Sequence, residues 1–444
     1  MKINFISLGC DKNLVDSEVM ISSLRKNNHE ITNDVSEAEI IVVNTCCFIG
    51  DAKEESINTI IEMGEYKTGG NAKFLIIAGC LAERYHDEIE KELPEVDAII
   101  GTTAIDSICD VIDRLLSRED NSPVKSLKSI DYLPESVLYE EAHSGGYSAY
   151  LKIAEGCDKR CTYCVIPNVR GKYRSVPAEK LVEQAAHLVE NGAKELILVA
   201  QETTLYGMDI YNKKSLHTLL SMLSKLPKLR WIRLLYCYPE EIYPELIDEI
   251  KNNPKVCHYI DMPIQHASDN ILKRMGRWTN QAELVNIITK LREEIPDIAI
   301  RTTLITGFPG ETEEDFRILK DFVQKMRFDR LGVFPYSQEE NTPAASFDDQ
   351  IEDEIKEDRR DEIMEIQQQI TFEKAEEKIG TQMVVMVEGY IPRDDVYVTR
   401  SYMDAPDVDG YVFVNYDGEL DSGDFLKVEI IDSSEYDLIA EIIL

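Results

Sequence analysis

The chain has 444 residues, 43% of them hydrophobic and 30% charged, which excludes a disordered protein and allows roughly three folded domains. The 83 Asp and Glu against 48 Lys and Arg give a formal charge of −35; this disfavours non-specific nucleic-acid binding and favours basic partners, although the same charge also serves solubility. Ten cysteines are too sparse for a disulfide scaffold, and no signal peptide or membrane span is visible, so a reducing, cytoplasmic setting is expected.

Residues 1–117 alternate short Val/Ile-rich runs, "INFISLGC", "AEIIVVNTCC" and "KFLIIAGC", with polar, helix-compatible stretches. That is the βα rhythm of an open parallel sheet. Residues 118–142 are polar and irregular, with Pro123 and Pro134, and read as a linker. From 143 to 375 the rhythm resumes in six apolar segments: "AYLKIAEG", "ELILVAQ", "WIRLLYCYP", "CHYIDMP", "IAIRTTLITGFPG" and "RLGVFPYS". Six βα units predict a partial (βα)6 barrel. "IEDEIKEDRRDEIMEIQQQITFEKAEEKIG" then reads as one exposed connecting helix, or two. Residues 376–444 switch to five short alternating strands separated by turns such as Asp417–Gly418, as in a small antiparallel β-barrel.

Cys157, Cys161 and Cys164 follow the first strand of the central segment, at the strand end where βα barrels place their active sites. The spacing C-x3-C-x2-C lets one loop wrap three corners of a 4Fe–4S cube and leaves the fourth iron without a protein ligand. An open metal position is where chemistry happens. The alternative is a zinc site completed by Cys237, Cys257 or His258. Cys10, Cys46 and Cys80 form a second trio. Each ends an apolar run of the first segment, so parallel strands would bring the three thiols to one carboxyl edge, where open α/β sheets bind ligands. Cys46 is preferred over its neighbour Cys47 as the inward thiol, because side chains alternate along a strand. Cys109, Cys237 and Cys257 lack partner spacing and read as core.

The three-cysteine loop after the first strand of a βα part-barrel resembles the radical S-adenosylmethionine superfamily. That resemblance implies that S-adenosylmethionine chelates the open iron, that the cluster's electron yields a 5′-deoxyadenosyl radical, and that Tyr163 leans toward the adenine. "SLGCDKNLVDSE", "VNTCCFI" and "GCLAERY" further resemble the N-terminal motifs of the methylthiotransferases, with Cys10, Cys46 and Cys80 on that family's auxiliary-cluster positions. The resemblance spans the whole chain and implies a C-terminal TRAM barrel. It departs from the family pattern at Asp11, where Pro is usual, and at Cys47, where a small residue is usual. It also implies two 4Fe–4S clusters, S-adenosylmethionine as methyl donor and radical source, and a low-potential electron donor such as flavodoxin or ferredoxin.

"LITGFPGETEEDF" ends a barrel strand with a turn and a Thr312–Asp315 capping pair. Gly307 and Gly310 there would allow close backbone approach and resemble the superfamily's adenine-contacting motif. Gln201 to Thr204 ("QETT") are candidates for the cosubstrate pocket, with plain turn chemistry the alternative; Arg170 and Arg301 are candidates for pairing with its carboxylate, with a structural ion pair the alternative. Asp261 and His266 receive no catalytic role, since radical abstraction needs no general base.

The methylthiotransferases divide between tRNA adenosine next to the anticodon and an aspartate of small-subunit ribosomal protein twelve. Residues 376–444 hold 17 Asp and Glu against 4 Lys and Arg. A barrel meant for tRNA should be basic, whereas an acidic one steers a basic ribosomal protein. "TRSYMDAPDVDGYVFV" resembles the ribosomal-protein branch, as do "CDKNLVDSE" and "YLKIAEGCD". A protein aspartate is therefore the expected substrate. The alternatives are a tRNA substrate and a non-catalytic iron–sulfur electron-transfer protein.

Overall fold

The structure, a computed structural model, describes residues 1–120, 122–134 and 147–443. The first body is a six-stranded, all-parallel sheet of β1 (Lys2–Ser7), β2 (Glu30–Ile31), β3 (Ile40–Thr45), β4 (Phe74–Gly79), β5 (Ala98–Ile100) and β6 (Val124–Ser126), in the order β2-β1-β3-β4-β5-β6. Its central strands are continuous apolar runs because both faces are covered. Ile40, Val42 and Ile76 enter one core cluster, while Ile41, Val43, Leu75 and Ile77 enter another. β6 lies within the stretch expected as a linker; that stretch's residues 121 and 135–142 lie outside the described residues.

The central body carries β7 (Ser148–Lys152), the short antiparallel pair β8 (Ala154–Glu155) and β9 (Arg174–Ser175), then β10 (Glu195–Val199), β11 (Trp231–Leu234), β12 (Tyr259–Asp261), β13 (Ala299–Thr306) and β14 (Arg330–Pro335). β7-β10-β11 and β12-β13-β14 are parallel ladders, joined by a single parallel bridge, Ile232 to Val256. Six strands thus curl in the order of the six apolar runs. Among the described residues no ladder joins β14 back to β7, so the barrel is partial. The charged segment forms one helix, Asp353–Glu376. It is less exposed than its composition suggests: Lys356, Arg359, Ile363, Gln367, Ile370 and Ala375 recur at helical spacing and are buried, and the helix packs on β14.

The last body is a closed barrel of β15 (Gln382–Ile391), β16 (Val396–Ser401), β17 (Val412–Asn415), β18 (Phe425–Ser434) and β19 (Asp437–Ile442), in the order β15-β16-β17-β19-β18. Four pairings are antiparallel and one, β17–β19, is parallel. Parity requires this, because strand direction cannot alternate all the way round a closed ring of five.

The outer bodies close opposite ends of the central barrel. At the amino ends of its strands, Arg400 donates to Glu195 Oε2 at 2.5 Å and to Ser148 Oγ at 3.0 Å. Arg233 donates from Nε to Glu195 Oε1 at 2.8 Å and from Nη1 to the Tyr402 carbonyl at 2.6 Å. Tyr259 donates to Asp409 at 2.8 Å, and Arg330 pairs with Asp404. At the carboxyl ends, Gly50 N donates to Ser337 Oγ at 3.2 Å, and Arg84 pairs with Glu339 at 3.0 Å.

Burial alone would raise the Glu195 carboxyl, but Arg400 and Arg233 override it and hold it at about 2. Glu195→Gln leaves two buried guanidinium groups short of their counter-charge and is expected to lower stability to urea by about 3–5 kcal/mol. The depressed carboxyl contributes fully above the unfolded value of 4.5 and loses its contribution as pH falls from there through about 2. The stability gap between wild type and Glu195→Gln should therefore narrow across that window; a pH-independent gap would contradict the charge argument.

Candidate active site

Three neighbouring parallel strands deliver the first trio. Cys10 follows β1, Cys46 directly follows β3, and Cys80 follows β4, with Ser7 opposite Asn44 and Thr45 opposite Gly79. The two Gly–Cys turns hold the thiols this close. Gly9 has φ +85°, and a Cβ there would stand 2.6 Å from Cys46 Cβ; Gly79 has φ +91°, and its Cβ would meet the Thr45 carbonyl at 2.6 Å. Asn13 ties the turns together, donating to the carbonyls of Leu8 at 3.0 Å and Thr45 at 2.9 Å, while its Oδ1 lies 3.7 Å from Cys80 Sγ. Cys46 lies against Gly9, whereas Cys47 is fully buried in the apolar cluster with Val165 and Val169.

The second trio lies on the loop after β8. Cys157 N donates to the Gly171 carbonyl at 3.1 Å, and Cys164 N to the Cys161 carbonyl at 3.1 Å. Thr162 N donates to the Met275 carbonyl at 2.9 Å. The Tyr163 ring packs edge-on against Phe308 at 6.4 Å, and Phe308 against Tyr336 at 5.3 Å.

All ten cysteines are free thiols. Burial pushes Cys80 and Cys157 up to about 12, with Arg170 opposing the rise at Cys80, and it raises Cys46 and Cys164 as well. Buried thiols that lack a cation stay protonated; a multi-iron group bound there would supply the positive charge that makes them thiolate ligands. Among the described residues no three Cys, His, Asp or Glu side chains stand close enough to hold one metal ion. The residues expected to complete a zinc site are engaged elsewhere. Cys237 Sγ is 3.4 Å from Thr203 Oγ1, while Cys257 and His258 precede β12 at the opposite end of the barrel, with His258 Nδ1 2.6 Å from Asp297. Soft sulfur donors in threes fit an iron–sulfur cluster better than a lone ion.

One turn touches both trios. In Tyr236–Cys237–Tyr238, after β11, the Tyr236 hydroxyl donates to Asp11 Oδ2 at 3.1 Å, and Lys12 Nζ sits 3.2 Å from the centre of the Tyr236 ring. Two residues on, the Tyr238 hydroxyl lies 4.0 Å from Cys161 Sγ, with the Arg277 guanidinium 4.3 Å over its ring. Tyr236 has φ +59°, a left-handed conformation that its N–H bond to Asp261 at 2.9 Å holds in place.

Arg170 and Arg301 do not stand free for a cosubstrate carboxylate. Fully buried Arg170 donates to Asp16 at 2.7 Å, Glu155 at 3.3 Å, Cys80 Sγ at 3.4 Å and Asn13 Oδ1. Its fork is filled by the seam between the first sheet and the barrel. Arg301 pairs with Asp261 at 3.2 Å and Asp409 at 3.5 Å. Gln201 Nε2 donates to Glu155 at 2.9 Å and leaves its Oε1 buried and unpartnered. Beside it, Glu202 binds Thr204 through Oε1 and leaves Oε2 buried without a partner, so that burial raises its carboxyl to about 8. Gly307 and Gly310 abut Lys356 and Arg274, where a Cβ would stand 2.8 Å from Lys356 Cβ and from Arg274 Cζ. Thr312 and Asp315 form the expected capping box. His266 Nε2 lies 3.2 Å from Glu311, fully buried.

A cavity of about 640 Å³ lies between Ile49–Asp51, Phe334–Gln338 and the helix residues Asp353, Lys356, Glu357 and Arg360. Phe334 in its lining is half-exposed.

Sequence reading missed Asn13, Asp16, Glu155, Tyr236, Tyr238 and Arg277. Asn13 and Asp16 carried a usable signal, standing three and six residues after Cys10 on one helical face of "CDKNLVDSE".

Family models match in three stretches: "Uncharacterized protein family UPF0004" over residues 2–101, the Radical SAM superfamily over 151–323, and a TRAM domain over 379–443. Ribosomal protein uS12 methylthiotransferase RimO of Lachnoclostridium phytofermentans is 61% identical over 99% of both chains. The protein of the same name from Acetivibrio thermocellus is 51% identical over 100% of this chain and 98% of its own. This chain belongs to the RimO methylthiotransferase family. Radical SAM methyltransferase TsrM of Kitasatospora setae, solved with cobalamin and a 4Fe–4S cluster, aligns with a TM-score of 0.54 at 14% identity, covering 86% of this chain and 76% of that one, and so shares the fold. Membership of the radical SAM superfamily brings the use of iron–sulfur and S-adenosylmethionine. No helix among the described residues is long and apolar enough to cross a membrane.

Because a lysine cannot reproduce the guanidinium fork, Arg170→Lys should lower stability by about 2–4 kcal/mol. Arg170→Met should cost more by stranding the Asp16 and Glu155 carboxylates on Lys152 alone. Urea midpoints equal to wild type would refute the central place given to this arginine.

Proposed function

We propose that this chain transfers a methylthio group to the β-carbon of an aspartate in small-subunit ribosomal protein uS12. In this reading Cys157, Cys161 and Cys164 hold one 4Fe–4S cluster, and Cys10, Cys46 and Cys80 hold a second. When bound, the clusters and S-adenosylmethionine supply the one-electron cleavage of a sulfonium and the methylthio group to be transferred. The observation that carries the reading is the Tyr236–Tyr238 turn, which touches the Cys10 loop at one end and Cys161 at the other.

The chain's own residues bind, orient and exclude water. Tyr163 and Phe308 offer an aromatic wall for an adenine. The unpartnered oxygens of Gln201 and Glu202 are acceptors of the kind an ammonium requires. Gly307 and Gly310 shape the turn beside that wall. The cavity between Ile49–Asp51 and Phe334–Gln338 admits the substrate loop. The C-terminal barrel supports a protein substrate over RNA. Asp394, Asp395, Asp417, Glu419, Asp421 and Asp432 are exposed on it, an acidic face that attracts a basic ribosomal protein and repels phosphate. An electron comes from a low-potential carrier such as flavodoxin or ferredoxin, and the setting is the cytoplasm. Residues 1–117, 143–375 and 376–444 serve as the auxiliary-cluster, radical and substrate-recruiting domains.

Incubated anaerobically with S-adenosylmethionine and reductant, the reconstituted protein should methylthiolate a peptide carrying the uS12 aspartate loop and leave an anticodon stem-loop RNA unchanged, read by mass spectrometry. Product from the RNA alone would overturn the reading. Cys161→Ala should abolish 5′-deoxyadenosine release. Cys46→Ala, by contrast, should retain it while forming no methylthiolated peptide. Equal loss of both activities in a folded Cys46→Ala protein would argue against two divided sites.

A further inference from the structure

The large apolar side chain most open to solvent among the described residues is Trp278, at 83% exposure. Tryptophan and arginine are the residue types enriched where proteins bind one another, and here an exposed tryptophan stands among basic side chains. Its place is specific. Trp278 ends the segment Lys273–Trp278, whose backbone lies directly against the cysteine loop. Thr162 Oγ1 donates to the Arg274 carbonyl at 2.8 Å, and a Cβ on Gly276 would stand 3.0 Å from the Arg160 carbonyl and 3.7 Å from Cys161 Cα. Met275 of the same segment is buried with Phe308 and Tyr336, against which Tyr163 packs. The segment is therefore anchored beside the candidate site while Trp278 itself faces solvent.

This surface is locally basic, against the sign of the chain as a whole. Asp158–Arg160 and Lys273–Trp278 together hold five basic residues and one acidic one, in a protein of net −35. Three of the five are occupied: Lys159 by Glu240 and Glu241, Arg274 by Asp349, and Arg277 by its place over Tyr238 and against Glu240. Arg160 and Lys273 are exposed and have no ion-pair partner among the described residues. Lys159 Nζ lies 5.9 Å from the centre of the Trp278 ring.

We propose that Trp278, Arg160 and Lys273 form the docking surface for an acidic one-electron carrier protein, which reduces the centre held by Cys157, Cys161 and Cys164. This inference rests on the function proposed above. One electron passes inward across the loop, the centre is reduced by one electron and the carrier is oxidised by one, with no other group transferred. Opposite charge steers the encounter, since an acidic carrier is repelled by most of this surface and attracted here. The short path from Arg160 and Gly276 to Cys161 favours transfer, because electron tunnelling weakens steeply with distance.

The test uses the reconstituted full-length protein and measures 5′-deoxyadenosine release with two reductants. Dithionite is a small ion that needs no docking, and reduced flavodoxin is an acidic protein that does. The doubly reversed variant Arg160→Glu/Lys273→Glu should lose at least about tenfold in rate with flavodoxin, Trp278→Ala several-fold, and both should keep the dithionite rate. The wild-type flavodoxin rate should fall with added salt, and the doubly reversed variant should lose that decline. Unchanged flavodoxin rates in both variants, with the dithionite reaction intact, would overturn this inference alone. Equal losses with both reductants would assign the patch to substrate or structure and overturn it too. A wild-type protein that releases no 5′-deoxyadenosine with dithionite would sink the underlying function as well.

Discussion

The architecture depends on one buried knot of charge. Arg170 and Lys152 from the central barrel meet Asp16 from the first helix and Glu155 from β8, two cations against two carboxylates in a space closed to solvent. Burial works against ionising Glu155, yet Lys152 and Arg170 hold its carboxyl below the usual range. Such a knot adds little net stability over an apolar seam of the same volume, because desolvating four charges consumes most of their attraction. What it does supply is register. Apolar surfaces tolerate sliding, whereas a fork that must reach Asp16, Glu155, Asn13 and Cys80 together admits one placement of the first sheet over the barrel mouth. The thiol of Cys80 is part of that fork, so the docking of two bodies and the placement of a trio member are one event.

The other end of the barrel repeats the device with different residues. Glu195 is shared by Arg233 and Arg400 inside the barrel's amino mouth, and Asp404 and Asp409 receive Arg330, Arg301 and Tyr259. The C-terminal barrel thus turns Arg400 and some of its acidic residues inward, and on its outer surface exposed carboxylates outnumber the exposed Arg393 and Lys427. Its net charge is what a partner meets; its internal pairs are what hold it in place.

Much of this was legible in sequence, for identifiable reasons. All six central strands sat where apolar runs ended in Gly, Pro or polar turns, since burial on both faces leaves a continuous signal. The shared sheet edge of Cys10, Cys46 and Cys80 was legible because residues that follow adjacent parallel strands emerge on one side. β2, β5 and β6 were not foreseen, being two or three residues long and too short to show a period. The partners of Arg170 and Arg301 were not legible for a different reason. They are fixed by tertiary contacts 15 to 157 residues away, and nothing local separates an arginine that waits for a ligand from one already enclosed by carboxylates. The long helix read as exposed because its buried positions are Lys356, Arg359 and Gln367 as well as Ile363 and Ile370. Long polar side chains can line an interface while their heads find partners, and a hydrophobicity pattern registers them as solvent-facing.

Asp261 joins the two ends of the molecule. One carboxylate oxygen accepts from Arg301, which also reaches Asp409 of the C-terminal barrel; the other accepts from the Tyr236 backbone, whose side chain reaches Asp11 beside Cys10. Burial raises this carboxyl more strongly than Arg301 lowers it. The result is a chain of polar contacts through the barrel, Asp409–Arg301–Asp261–Tyr236–Asp11, fully buried at Asp261 and partly buried at the other members. Tyr236 keeps its left-handed backbone only while Asp261 holds its N–H, and Asp261 keeps its position only while Arg301 balances it. The turn that faces both trios is therefore set from the far side of the barrel, by a domain that contributes no cysteine to either.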